Sequence, residues 1–218
     1  MTRELLDRQL HELFEGLVVM GSMVERAIEK SVQALAKRDT RLAQEVTEED
    51  AAIDEARWRL EEECLRLLAT QQPMATDLRT VGAVLSVIAD IERMGDHAEG
   101  IARIVLRIAD QPLLKPLIDI PRMSKKCQED LRLVLQAFID HDVELARRIC
   151  ADDDQVDSLY KQVFSELLLI MMGDPRTVDR ATYLIWVAHN LERIHDRITN
   201  IGERVVFMVT GKMEQLNT

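Results

Sequence analysis

Apolar residues recur every three or four positions along almost the whole chain, which is the spacing of one face of an α-helix. Short polar, glycine- or proline-containing segments interrupt this pattern, and the clearest of them is residues 111–121, which contains three prolines. The pattern predicts six helices, at residues 3–37, 40–71, 74–110, 121–139, 142–172 and 175–210.

The two halves of the chain repeat the same acidic motifs. Ile-Glu-Arg-Met-Gly-Asp at 91–96 returns as Leu-Glu-Arg-Ile-His-Asp at 191–196, and the acidic segment 50–54 returns at 153–157. The offsets differ by three residues, and an insertion in the intervening loop explains this without disturbing either helix. We therefore expect an all-α fold of two tandem antiparallel three-helix bundles, with repeats at 1–112 and 113–218.

Composition narrows the class of protein. The chain has 218 residues, of which 47% are hydrophobic and only 4% aromatic, and this favours long helices over sheets. The net charge of −11 argues against binding to nucleic acid.

Cys64, Cys127 and Cys150 show no zinc-binding spacing and are expected to be buried and reduced. No apolar run approaches the ~18 residues of a membrane span, and no secretory segment is evident, so we expect a cytoplasmic protein.

Acidic residues fall on helix faces that are otherwise apolar. With 39 acidic residues in 218, roughly seven pairs at a spacing of four arise by chance, so pairing alone carries little weight. The position of the acidic residues relative to the apolar stripe is more informative, because residues three or four apart share a helix face. The carboxylates that continue apolar stripes, and so point inward or to the edge of a bundle seam, are Asp50, Asp54, Glu92, Asp96 and Glu99 in the first half and Asp153, Asp157, Glu192 and Asp196 in the second.

Converging carboxylates repel one another and lose hydration, so they need compensation. Arg57, Arg93, Arg103 and Arg193 lie near in sequence and could form internal salt bridges. Raised carboxylate pKa values and a metal ion are the other two solutions, and an all-oxygen ligand set suits a hard cation such as Mg²⁺, Mn²⁺, Ca²⁺ or iron. The candidate ligand set is the nine carboxylates above together with Asn200, and Zn²⁺ or an empty site is also compatible with it.

The segment Gln-Pro-Met-Ala-Thr-Asp-Leu-Arg at 72–79, followed by the motif at 91–96 and its second copy, resembles the signature of the PhoU family. The resemblance covers nearly the whole chain. It implies two three-helix bundles with pseudo-twofold symmetry and metal clusters at the matching acidic residues. The second copy departs from the first where Gly95 becomes His195 and Glu99 becomes Thr199, so we expect unequal metal geometry at the two sites.

The resemblance also implies a function. PhoU-like proteins are negative regulators of the phosphate-starvation response, and they couple a phosphate ABC transporter to a sensor histidine kinase. The implied partners are the ATPase subunit of the transporter and the kinase. The protein would lie at the membrane through these partners and would form a homo-oligomer, in the simplest case a dimer.

Two other classes of function stay open at this stage. A carboxylate-bridged di-iron protein, either an enzyme or an iron store, uses Glu-x-x-His on two helices, but Glu192-x-x-His195 fits once and Gly95 occupies the second position. A metal-free helical scaffold would need only internal salt bridges. No nucleophile elbow or phosphate loop occurs, so we expect no enzyme. His97 and His195 adjoin motif aspartates and could take part in the sites, whereas Trp58 and Trp186 are expected to pack normally.

Overall fold

The computed structural model describes residues 3–152 and 154–216. No strand occurs in these two ranges. The helices are α1 (Arg3–Lys37), α2 (Thr40–Gln71), α3 (Thr76–Ile108), α4 (Asp119–Asp140), α5 (Val143–Ala151), α6 (Asp154–Gly173) and α7 (Val178–Thr210), and a short 3-10 helix, Pro175–Thr177, precedes α7.

The helices assemble into two bundles around one continuous hydrophobic core. Helices α1, α2 and α3 pack against one another, and α4, α5 and α6 pack against α7. The two bundles meet along α3 and α7, and α1 also packs on α4, where the rings of Phe14 and Phe138 make an edge-to-face contact at 5.8 Å. The predicted all-α fold of tandem bundles is thereby confirmed.

Matching residues begin the second helical segment of each repeat. Asp39 caps α2 by accepting a hydrogen bond from the Leu42 amide at 3.0 Å, and Asp142 caps α5 by accepting one from Leu145 at 2.9 Å. A carboxylate at this position accepts a hydrogen bond from an amide that would otherwise lack a partner. Its negative charge also interacts favourably with the positive end of the helix dipole. The predicted repeat boundary lies in the non-helical segment 109–118, and the division at 112/113 stays a prediction.

Three sequence-based expectations are corrected by the structure. The predicted helix 142–172 is two helices, because three consecutive aspartates at 152–154 favour a turn and a new helix start over a continuous helix. The third helix starts at Thr76 rather than at residue 74, since Ala75 has a φ of 48°, which is incompatible with a right-handed helix. Trp58 and Trp186 are not packed in the core but are 63% and 50% exposed.

The chain shows no helix that could span a bilayer in the part that the structure describes.

Candidate metal centre

The first acidic cluster lies on the seam between α2 and α3. The side chain of Arg57 on α2 reaches across to the carboxylate of Glu92 on α3, and this contact aligns the acidic faces of the two helices. Asp50 is half-buried here. Burial, followed by the negative charges of Glu99, Asp54, Asp96 and Glu92, raises the pKa of Asp50 to about 6. Four other predicted ligands are thus close enough to act on the charge of Asp50, and we call these five residues the first cluster.

Gly95 makes the close approach of the helices possible. A Cβ atom at this position would lie 3.2 Å from Ile53 Cδ1 and 3.5 Å from Asp50 Oδ1. The carboxylate of Asp50 therefore packs almost directly on the backbone of α3. A larger side chain at residue 95 would push α2 and its aspartates away from Glu92.

Arginines neutralise part of the first cluster. Arg57 binds Glu92 and also Glu61, the latter at 2.9 Å, while Arg93 Nη1 binds Asp96 Oδ2 at 2.8 Å. Arg103 Nη2 binds Glu99 Oε1 at 2.7 Å. Internal salt bridges, one of the three solutions considered from the sequence, are therefore present. Neither Asp50 nor Asp54 forms an ion pair with any described residue.

The oxygen atoms left over suit a hard cation. Glu92 is 7% exposed, and its Oε2 atom is buried without a hydrogen bond, with Arg93 Nε no nearer than 3.5 Å. A buried carboxylate oxygen without a donor is costly, and a cation would supply the missing partner. Within 3–152 and 154–216, no three His, Cys, Asp or Glu side chains stand in a ready-made ligand geometry. The donor chemistry thus fits a cation, but binding requires carboxylates to turn away from their arginines.

The second cluster lies between α6 and α7 and consists of Asp157, Glu192 and Asp196. Its centre is Arg193, whose guanidinium binds Glu192 Oε2 at 3.1 Å and Asp196 Oδ2 at 3.0 Å. Burial alone would lower the pKa of Arg193, but the charges of Asp196, Glu192 and Asp157 outweigh it and raise that pKa. Asp153, the fourth predicted ligand, lies outside the described residues.

The two clusters differ at the positions where the sequences of the two repeats differ. Position 199 holds a buried threonine, whose hydroxyl donates to the carbonyl of Asp196 at 2.7 Å, where the first repeat has Glu99. The amide of Asn200 donates to Asp90 Oδ1 at 3.2 Å, so the structure pairs this predicted ligand with α3. Among the described residues, the second cluster has three carboxylates and Arg193, whereas the first has five carboxylates and contacts from Arg57, Arg93 and Arg103.

Both candidate histidines have partners on neighbouring helices. His97 Nδ1 lies 2.9 Å from Asn190 Oδ1, and His195 Nε2 lies 2.7 Å from Asp130 Oδ2, with His195 and Asp130 both buried. Lys126 joins this second pair, with its Nζ 3.1 Å from Asp130 Oδ1. Asp130 is not among the site residues predicted from the sequence. The signal was an aspartate on the apolar stripe of α4, in a phase that pointed it toward the core.

Two similar bundles, each with a carboxylate cluster on the seam of its last two long helices, define a class of tandem-repeat helical proteins with paired acidic sites. The family model described as PhoU domain matches the chain twice, at residues 17–105 and 120–205. The chain belongs to the PhoU family.

Similar proteins occur in several bacteria. The chain is 37% identical over 218 residues to the phosphate-specific transport system accessory protein PhoU homolog of Clostridium acetobutylicum, with 100% of both chains covered. It is 37% identical over 208 residues to the homolog of Aquifex aeolicus, covering 95% of this chain and 94% of the relative. These names describe accessory proteins, not enzymes.

Solved structures agree with this assignment. The crystal structure of PhoU from Pseudomonas aeruginosa superposes with a TM-score of 0.90 at 34% identity, covering 94% of this chain and 99% of that one. The phosphate transport system regulatory protein PhoU from Streptococcus pneumoniae gives a TM-score of 0.89 at 33% identity, covering 96% of this chain and 99% of that one.

Proposed function

We propose that this chain is a negative regulator of the phosphate-starvation response, coupling a phosphate ABC transporter to a sensor histidine kinase. The observation that carries the proposal is the full-length similarity to proteins named as accessories of the phosphate-specific transport system. The chain works by binding and catalyses no reaction, so its output is an equilibrium that the state of a partner shifts.

The proposed partners are the ATPase subunit of the transporter and the kinase. The chain is cytoplasmic, reaches the membrane face through these partners, and does so as a homodimer. Its net charge of −11 suits positively charged protein surfaces and is poorly suited to nucleic acid. The regulation therefore passes through protein contacts.

We further propose that the two clusters bind a metal cation such as iron, Mg²⁺, Mn²⁺ or Zn²⁺. Asp50, Asp54, Glu92, Asp96 and Glu99 would hold it in the first repeat, and Asp157, Glu192 and Asp196, with Asp153, in the second. A bound cation supplies positive charge that relieves the repulsion acting on Asp50. The raised pKa of Asp50 and the buried Glu92 Oε2 atom, which accepts no hydrogen bond, support this proposal.

Elemental analysis of freshly purified protein separates the candidate functions. Several cations in variable amounts support the regulator with cation-binding clusters, whereas a firm pair of irons with oxidase activity supports the di-iron alternative. Essentially no metal supports the scaffold alternative. The di-iron alternative is weakened by Gly95, which stands where a second Glu-x-x-His motif needs a histidine.

Partner binding is tested with purified components. The chain is passed over immobilised ATPase subunit and over the immobilised cytoplasmic part of the kinase, with an unrelated protein of similar net charge as the control. Saturable binding to both partners, absent from the control, is expected. Binding no stronger than that of the control would contradict the proposed coupling.

A further inference from the structure

The outward face of α6 carries a strip of exposed apolar side chains. Phe164, Leu168 and Met172 follow one another at intervals of four residues and are 41%, 43% and 75% exposed, and Leu169 beside them is 68% exposed. Residues four apart lie on one side of a helix, so these side chains form one surface. We call these four residues the α6 strip. A contiguous apolar surface of this kind is typical of an interaction site.

The α6 strip is a property of the second repeat alone. At the offset of 103 residues that relates Asp54 to Asp157, the first repeat has Glu61, Leu65, Arg66 and Ala69 on α2. Only the leucine is retained, and two of the four positions carry charges. A closed dimer needs one self-complementary surface on each copy, whereas two similar surfaces on one chain would let copies join into open assemblies. A single strip on each chain is therefore suited to a closed pair.

The spacing of the α6 strip is symmetric about Leu168. Phe164 lies four residues before it and Met172 lies four residues after it. A twofold axis through Leu168 sets α6 of a second copy antiparallel to α6 of the first, with Leu168 opposite itself and Phe164 opposite Met172. An aromatic ring then faces a flexible thioether at both ends of the strip, and contacts between sulfur and aromatic rings are favourable. The strip is thus complementary in shape to a second copy of itself.

The charges at the two ends of the α6 strip are complementary under the same axis. Lys161 lies three residues before Phe164 on the same helix face, and Asp179 lies in the first turn of α7. This turn adjoins the C-terminal end of α6, where the hydroxyl of Thr177 donates to the carbonyl of Ile170 at 3.4 Å. Lys161 and Asp179 are exposed, and neither forms an ion pair with any described residue. The antiparallel pairing brings the lysine of each copy to the end at which the aspartate of the other lies.

Neighbouring charges are already paired inside the chain. Glu166 on α6 binds Lys115 of the linker, and Asp174 binds Arg176 at 2.9 Å in the turn that follows α6. The lysine and the aspartate at the ends of the strip carry opposite charges that cancel. The surface therefore has no excess charge that would select a basic or an acidic partner, whereas a second copy supplies matching charges at both ends.

We propose that the α6 strip is the surface through which two copies of this chain form a twofold symmetric dimer. Helix α6 has 20 residues and is about 30 Å long, and together with α7 it is about 20 Å wide. This face offers about 600 Å² per copy, which approaches the ~800 Å² that each partner buries in an interface of standard size. The proposal rests on the proposed function, in which the regulator is a homodimer, and it names the surface that forms the dimer.

Sedimentation equilibrium of the full chain measures the dissociation constant of the dimer. Leu168→Glu places two carboxylates against each other at the twofold axis. Leu65→Glu is the matched control variant, because Leu65 is 60% exposed at the equivalent position of α2. Wild type and Leu65→Glu are expected to form dimers of equal affinity. The dissociation constant of Leu168→Glu should be at least about 100-fold higher, since each substitution occurs twice in a symmetric interface.

Reversal of the end charges tests the orientation of the two copies. Lys161→Glu and Asp179→Lys should each raise the dissociation constant about threefold to tenfold, because each sets like charges together at both ends of the interface. The double variant restores opposite charges and should bind as wild type does. Under mild oxidation, Leu168→Cys should cross-link two copies through the new thiol, whereas Leu65→Cys should not, because only a residue at the axis meets its own counterpart.

Circular dichroism and melting temperature establish that each variant is folded before its affinity is compared. The charge variants carry the test if Leu168→Glu fails to fold, since Lys161 and Asp179 are exposed. A monomeric wild type, a Leu168→Glu dimer as tight as wild type, or an equal loss in Leu65→Glu would overturn the proposal. A double charge variant no tighter than its single variants would also overturn it.

These outcomes are distinct from failure of the proposed function. A dimer formed through the α6 strip by a protein that binds neither the ATPase subunit nor the kinase would keep this surface and reject those partners. Binding of both partners by a wild-type monomer would reject this surface and keep the partners.

Discussion

Asp90 on α3 and Asn200 on α7 form a hydrogen bond of 3.2 Å that ties the two bundles together. Arg197 Nη1 lies 3.6 Å from the same carboxylate oxygen. Burial raises the pKa of Asp90, although Asn200, Arg197 and Arg204 act in the opposite direction. The related pair, His97 and Asn190, joins the same two helices by a hydrogen-bond contact of 2.9 Å. Asp90 and Asn190 are equivalent residues of the two repeats, so the interface reflects the pseudo-twofold symmetry.

Replacing Asp90 by alanine is expected to destabilise the fold by about 2 kcal/mol, because Asn200 and Arg197 both lose a partly buried partner. Urea unfolding followed by circular dichroism measures this loss. Glu62→Ala, at an exposed site in the middle of α2, is the control and should change stability by no more than about 0.5 kcal/mol. Equal stabilities for the two variants would show that the Asp90 contacts do not hold the bundles together.

Asp50 makes the stability of the metal-free protein depend on pH. Its pKa in the fold is about 6, above the ordinary 3.8, so the folded state binds the proton more tightly than the unfolded state. The contribution of Asp50 to the free energy of unfolding is complete below about pH 4 and is lost as the pH rises through about 6. The pKa difference corresponds to at most about 3 kcal/mol. Screening by water reduces the expected effect to about 1–2 kcal/mol.

The Asp50→Asn variant should therefore be more stable than wild type by about 1–2 kcal/mol at pH 7.5 and equally stable near pH 4. Urea unfolding of metal-stripped protein at both pH values measures the difference. Glu62→Gln serves as the control, since an exposed carboxylate outside the cluster should show no such pattern. A destabilised Asn variant at pH 7.5 would mean that the charged form of Asp50 is favoured in the fold.

Cation binding at the clusters should stabilise the fold. A ligand at a hundredfold excess over its dissociation constant adds about 2.7 kcal/mol. For a chain of this size, that corresponds to a rise of about 5–10 °C in melting temperature. We expect Mn²⁺, Mg²⁺, Zn²⁺ or iron, tested one at a time, to produce this rise and a chelator to reverse it. Asp96→Asn combined with Asp196→Asn should blunt the rise.

The control for this experiment is Glu29→Gln combined with Glu62→Gln, which removes two negative charges from exposed positions outside the clusters. This variant should respond to cations as wild type does. A melting curve that stays unchanged after verified removal of metal would assign the clusters to internal arginine pairing, as in the scaffold alternative.

The sequence pattern was sufficient for the helices and for their pairing into two bundles. Val81, Ile88 and Ala102 are buried as their spacing on the third predicted helix requires. Leu78 and Leu106 lie on the same stripe and are 50% and 39% exposed. An apolar stripe predicts the direction in which a side chain points. It does not predict where along the helix the neighbouring helices end. The exposure of Trp58 and Trp186 escaped prediction for the same reason.

The composition of the first cluster was also predictable, since Asp50 is surrounded by the four other carboxylates chosen from their phase. Which arginine pairs with which carboxylate inside this cluster was not predictable. Whether Arg57 binds Glu92 or an acidic residue of its own helix depends on rotamers and on the distance between α2 and α3. The pairing of Asn200 with Asp90 depends in the same way on how α7 packs on α3, because the partners are in different repeats.

Deletion of the gene followed by a reporter for phosphate-starvation genes is the most direct test of the proposed function. With ample phosphate, the deletion strain should switch the reporter on while phosphate uptake continues, and a plasmid carrying the wild-type chain should silence it again. A Glu92→Ala, Glu192→Ala version that folds but fails to silence the reporter would tie the acidic clusters to regulation. A reporter that stays silent in the deletion strain under ample phosphate would contradict the regulatory function.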